Sequence, residues 1–151
     1  MKSRKEQVER AVRFESPDYV PLFYFNGDRS DSDIVMIDVE QHFLGRGRDR
    51  SEWGFRWSRS DDTMGQPGAP ILVSSETIAR YQKPDVMDSY RFIPGDSIRG
   101  EYGDDRYYIA SLGLTGFTIM SFLRGFSELL EDFYLDPETA GRIADIVFGT
   151  E

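Results

Sequence analysis

The sequence predicts an α/β protein, on three observations: a near-continuous apolar run at Val20–Phe25, a second strand pattern at Tyr107–Leu112, and helix-spaced apolar stripes in the last third of the chain. The two runs are expected to be parallel strands, separated by a turn-rich excursion that contains a β-hairpin.

The elements follow in order. Ser3 and Glu6 have the spacing of a capping box, and Val8, Ala11 and Val12 form the apolar stripe of an opening helix that stops before Pro17. Val20-Pro21-Leu22-Phe23-Tyr24-Phe25 then reads as a strand buried on both faces, with Pro21 near its start and Asn26-Gly27 closing it. Residues 1–27 make the first segment and residues 28–103 the turn-rich one. Within the latter, Asp33–Val39 is a further candidate strand. Trp53, Phe55 and Trp57 alternate with small or polar residues, the period of a strand with one aromatic face. A turn through Asp61–Gly68 returns that strand along Ala69–Val73, and Ser74 or Ser75 caps a short helix ending before Pro84. Residues 104–151 are the most regular. Tyr107–Leu112 is a strand. Ile119, Phe122, Leu123, Phe126, Leu129, Leu130 and Phe133 keep helical spacing, and Asp136-Pro137 starts a final helix with Ala140, Ile143, Ala144 and Val147 on its buried face.

Composition narrows the chemistry. The 151 residues include no cysteine, which excludes disulfides, thiolate nucleophiles and cysteine-ligated metals within this chain. The single histidine, His42, excludes a multi-histidine metal site and is read as a loop residue. The net charge of −9 is concentrated late: residues 104–151 carry three positive and nine negative side chains. Such a field repels phosphate backbones, so no nucleic-acid partner is expected. No apolar run reaches the roughly 18 residues of a membrane span, and a cytoplasmic location is expected.

Two strands neither close a sheet nor supply the cover that the apolar Val20–Phe25 run demands. The chain is therefore read as a single partial domain, residues 1–151, truncated or completed by another chain or a second copy of itself.

A family resemblance runs through most of the length. Its motifs are Pro17-Asp18-Tyr19-Val20-Pro21-Leu22, Glu52-Trp53-Gly54-Phe55-Arg56-Trp57, Asp62-Thr63-Met64-Gly65-Gln66-Pro67, Tyr81-Gln82-Lys83-Pro84-Asp85, Leu112-Gly113 and Leu123-Arg124-Gly125-Phe126. In this order they resemble the uroporphyrinogen decarboxylase superfamily, and within it the corrinoid-dependent methyltransferase-like branch. The arginine-rich stretch that the haem-pathway decarboxylases carry after their first strand is replaced by Phe25-Asn26-Gly27-Asp28-Arg29. The resemblance implies the N-terminal part of a TIM (β/α)8 barrel with a β-hairpin insertion, since a full barrel needs about 250 residues. It also implies that a corrinoid or a zinc ion would be held only with the C-terminal part: the branch places its zinc-binding His and Cys there, and the zinc site carries over to no position of this chain.

Barrel chemistry sits at the carboxyl ends of the strands. Tyr24, Asn26 and Asp28 would end the first strand, and Ser111 and Thr115 the later one. Tyr24 and Asn26 are candidates to hydrogen-bond a substrate; the competing reading is a packed Tyr and a turn-forming Asn. Trp53, Phe55 and Trp57 are either walls for a flat macrocycle or the core of the hairpin. Glu52 and Arg56 would share the strand's other face. Arg46, Arg48, Arg50, Arg56 and Arg59 form a basic cluster that suits the carboxylates of a tetrapyrrole, or else a solvated loop. Asp61 and Asp62 are either a carboxylate for acid–base work or a turn before Met64. Arg124, within an apolar helix, must pair with an acid or extend to solvent. The substrate-binding set is thus Tyr24, Asn26, Trp53, Arg56, Trp57, Asp62 and Met64, with no catalytic residue assigned and no resident metal.

The function expected is action on or near a tetrapyrrole or corrinoid, most like a corrinoid-dependent methyltransferase and incomplete for catalysis alone. The alternatives are a non-catalytic binding or assembly subunit, and the lyase activity of a haem-pathway uroporphyrinogen decarboxylase.

Overall fold

The computed structural model describes residues 3–24, 31–39, 49–60 and 65–151. They form a mixed α/β structure with a small parallel sheet. The chain divides into two compact units, Met1–Val39 with Ser89–Leu112, and Glu40–Asp88 with Gly113–Glu151.

The first unit begins with α1, Arg4–Val12, whose amino end is capped as its sequence predicts: the Ser3 hydroxyl accepts the Glu6 N–H at 3.1 Å. Val8 is buried but Val12 is exposed, so the apolar stripe is shorter than its spacing suggests. After the helix the chain turns through left-handed backbone at Phe14 (φ 58°) and Ser16 (φ 53°). The Arg10 guanidinium holds that turn by donating to the carbonyls of Glu15 and Ser16.

The apolar run that follows does not pair as a strand over residues 20–24, a correction with a local cause. Pro21 has no N–H to give. The Leu22 N–H goes to the Asp33 carboxylate at 2.7 Å and the Tyr24 N–H to the Ser32 hydroxyl at 3.2 Å. Side chains thus take the donors that a ladder would need. The strand that pairs is β1, Ile34–Asp38, the second candidate of the sequence. It runs parallel to β4, Tyr107–Ser111, in the register Ile34 to Tyr107 through Asp38 to Ser111. Between them lies α3, Ile93–Tyr102, which the turn-rich reading missed. Its Gly95 lies against β1, where an added Cβ would stand 3.2 Å from the Ile37 side chain.

The second unit has a defined hydrophobic core. β2, Trp57–Ser58, and β3, Gln66–Pro67, make only a two-residue antiparallel ladder. The expected aromatic strand over 52–57 opens instead as a turn at 52–54, with Gly54 at φ +92°, and reaches extended pairing only at Arg56, which bridges Arg50, and at Trp57 in β2. Residues 69–73 do not return as its partner, because the N–H groups of Ile71 and Leu72 both donate to the Leu123 carbonyl, at 2.9 and 2.8 Å. The short helix α2, Ser75–Arg80, has its capping box at Ser74. The helical stripe after residue 116 is cut in two, giving α4, Gly116–Arg124, and α5, Phe126–Leu135, before α6, Pro137–Phe148, starts from its Asp136 cap. Trp53, Phe55, Leu72 and Ile78 pack with Ile119, Leu123, Leu129, Ile143 and Val147 in one cluster.

Candidate functional site

The parallel pair has two ends of different character. At the amino end a cleft of about 800 Å³ opens beside α1, lined by residues that include Arg4, Tyr19, Tyr24, Asp31, Asp33 and Asp105. Asp33 is buried and satisfied. Its carboxylate accepts the Tyr19 hydroxyl at 2.8 Å and the Leu22 N–H, with the Arg4 guanidinium 3.6 Å away. Burial, reinforced by the hydrogen bond to Asp33, raises the Tyr19 pKa above its ordinary value. Arg4 also donates its backbone N–H to Asp105 and its guanidinium to the Asp31 carbonyl. These bonds tie α1 to the loops that enter β1 and β4. In open and closed α/β sheets this end serves stability, and ligands meet the carboxyl ends.

At the carboxyl end, Asp38 and Ser111 are register partners, so they share one face of the sheet on strands about 4.8 Å apart. The ladder continues one step further, with the Val39 N–H donating to the Ser111 carbonyl at 3.1 Å. Arg91 reaches the same end, donating to the Val39 carbonyl at 3.0 Å. Asp38, Ser111 and Arg91 thus stand at the end where the strands stop, residue types able to bind a polar or anionic group.

The residues singled out in the sequence are distributed differently. Tyr24 lines the amino-end cleft rather than a mouth at the carboxyl end. Trp53 is buried in the second unit's core. Its carbonyl accepts the Tyr81 hydroxyl at 2.8 Å, and burial pushes the Tyr81 pKa up. Phe55 and Trp57 meet the Phe122 ring edge-on at 5.3 and 5.7 Å, so the aromatic trio packs as core. Arg56 is exposed and paired with Asp49 at 3.0 Å. Asn26, Asp62 and Met64 lie outside the described residues, as do Asp28, Asp61, His42, Arg46 and Arg48. Ser111 ends β4 as expected, whereas Thr115 belongs to the second unit as the residue preceding α4. Asp38 and Arg91 were missed. The signal for Asp38 was present, an acid directly closing the Ile34–Ile37 run; Arg91 had none, since it reaches this end across 52 residues.

No group of three or more His, Cys, Asp or Glu side chains that could hold a metal occurs among the described residues. With no cysteine in the chain as well, the zinc donor set of the methyltransferase branch does not fit them. Among the same residues no helix is long and apolar enough to cross a membrane. Comparison with family models, with curated proteins and with solved structures returned no match.

Proposed function

We propose that the chain forms the opening part of a uroporphyrinogen decarboxylase-superfamily barrel, nearest in its motifs to the corrinoid-dependent methyltransferases, and that it binds a tetrapyrrole or corrinoid at the carboxyl ends of its strands. The observation that carries this reading is the parallel pairing of β1 with β4, which sets Asp38 beside Ser111 at the end where α/β proteins bind ligands. Two further features agree with it. Ile109 on β4 is 39% exposed, although parallel strands are ordinarily covered on both faces. Each strand of the pair has only one partner among the described residues.

Within this reading Arg91 and Ser111 bind a carboxylate of the macrocycle, and Asp38 accepts a hydrogen bond from a pyrrole or amide N–H. The chain's own residues bind and orient, and no reacting step is assigned to them. Titration of the protein with hydroxocobalamin, and separately with a porphyrin carrying several carboxylates, is expected to shift the visible absorption band. Replacing Asp38 by Asn together with Ser111 by Ala should weaken binding roughly tenfold, the worth of one to two hydrogen bonds. No shift at high micromolar protein would remove the proposal.

The outer edges of β1 and β4, which pair with no other strand among the described residues, favour a second reading, a non-catalytic assembly subunit completed by another chain through strand addition. Light scattering distinguishes it: an assembly larger than one chain that persists without any macrocycle supports it.

A further inference from the structure

Independently of the strand ends, we propose that the exposed aromatic face of α4 and α5 docks an amphipathic helix of a partner protein, one whose apolar side is flanked by lysine or arginine. Phe117 on α4 stacks on Phe133 of α5 at 6.3 Å and meets Phe126 edge-on at 6.1 Å. All three rings are 43–59% exposed, and Leu130, at 46%, completes the line. Phe126, Leu130 and Phe133 stand at positions i, i+4 and i+7, with Tyr134 at i+8 and 87% exposed. The stripe runs about 12 Å along α5, two helical turns. Two turns of apolar surface on one helix, widened by a ring from its neighbour, match the footprint of another helix packing along them. The adjoining side of α5 is already occupied, since Leu129, one turn from Phe133, is buried in the core and Asp132 is held by Arg124. The exposed stripe is therefore the uncovered continuation of an apolar side that α5 has buried only in part.

Charge selects the occupant. Residues 116–151 carry two arginines against seven acids. Arg124 is neutralised internally by Asp132, which leaves Arg142 as the remaining cation of the segment. The stripe is bounded by acids. Glu131 flanks it through its i+3 neighbour Tyr134. Glu151 lies at the other border, where its carboxylate accepts the Gly116 N–H at 2.7 Å beside Phe117. A second copy would bring the same acids together and be repelled, and so would an anionic membrane surface. A helix with basic flanks places its cations on this rim while burying its apolar side on the rings.

The test uses the full chain and two labelled peptides of about 18 residues, long enough to form a helix on contact. They share one leucine face, and one carries lysine where the other carries glutamate. By fluorescence anisotropy at physiological salt the lysine peptide should bind, with the glutamate peptide roughly tenfold weaker. Phe133→Ser should weaken the lysine peptide by about tenfold, as expected for an aromatic anchor. Glu131→Lys should weaken it at least about threefold while strengthening the glutamate peptide. Glu131 is exposed, so Glu131→Lys should keep the wild-type circular dichroism and urea midpoint, and Phe133→Ser, which loses the stack on Phe117, is compared at a temperature where its circular dichroism matches the wild type. Absence of lysine-peptide binding overturns the proposal, as does binding that neither substitution alters. A dimer seen by light scattering and dispersed by Phe133→Ser would assign the face to a second copy and also overturn it.

Discussion

Arg124 shows how a single side chain organises the second unit. Its Nε and Nη2 atoms form a two-point pair with the Asp132 carboxylate at 2.6 and 3.0 Å, and Nη1 donates to the Leu72 carbonyl. The hydrogen bond to Asp132 holds the guanidinium above its ordinary pKa, so Arg124 stays charged. Removing one partner strands the other away from water. Arg124→Leu is expected to cost about 3 kcal/mol, and the double change with Asp132→Leu to recover much of that, as read from urea unfolding. Asp136, the α6 cap, shows the opposite titration. The Thr139 backbone N–H bonds its carboxylate and holds it below its ordinary value of 3.8. A depressed folded-state pKa contributes stability that is fully present above the ordinary value and lost as pH falls through the lower one. Carboxyl NMR should show Asp136 titrating below 3.8, and Asp136→Asn should remove this part of the acid sensitivity of α6.

At the scale of elements, one glycine divides what the apolar spacing presents as a single helix. The stripe from Ile119 to Phe133 keeps its period, yet Gly125 adopts φ +99° and parts α4 from α5. A Cβ there would meet the Glu128 side chain and stand 3.1 Å from the Pro70 ring, besides forcing a side chain into the left-handed region. Gly125→Ala should therefore destabilise by more than about 1 kcal/mol, measured as a fall in the urea midpoint. Were α4 and α5 instead continuous, the same change would stabilise the helix by roughly 1 kcal/mol, so the sign decides. The strand question turns on comparable local detail. Val20–Phe25 and Ile34–Asp38 are both apolar and β-branched or aromatic in character, but Ser32 and Asp33 cap the backbone donors of Leu22 and Tyr24 and leave β1 to pair.

Across the whole molecule, apolar cover is unequal. Among the described residues the buried hydrophobic side chains belong to the second unit, apart from Val8 and Val35 in the first. Buried apolar area sets local stability. Hydrogen exchange should accordingly leave amides at Ile119, Leu123, Leu129 and Ile143 protected longest, with those of β1 and β4 exchanging earlier. Binding of a macrocycle at Asp38 and Ser111 should slow the exchange of β1 and β4 selectively.

Features that depend on neighbours along the chain are legible in its residues alone. The caps at Ser3 and Asp136, a cap at Ser74 or Ser75, the strand begun at Tyr107 and the apolar face of α6 are all short-range consequences of residue type and spacing, whereas the choice of an acid over solvent for Arg124 is not. Tertiary structure alone decided which of two apolar runs entered the sheet, that the aromatic trio became core rather than a ligand wall, and that Asp38 and Arg91 joined Ser111 at the strand ends. Those outcomes rest on pairings between residues dozens of positions apart. Apolar periodicity records that a face will be buried, and carries no record of what will bury it.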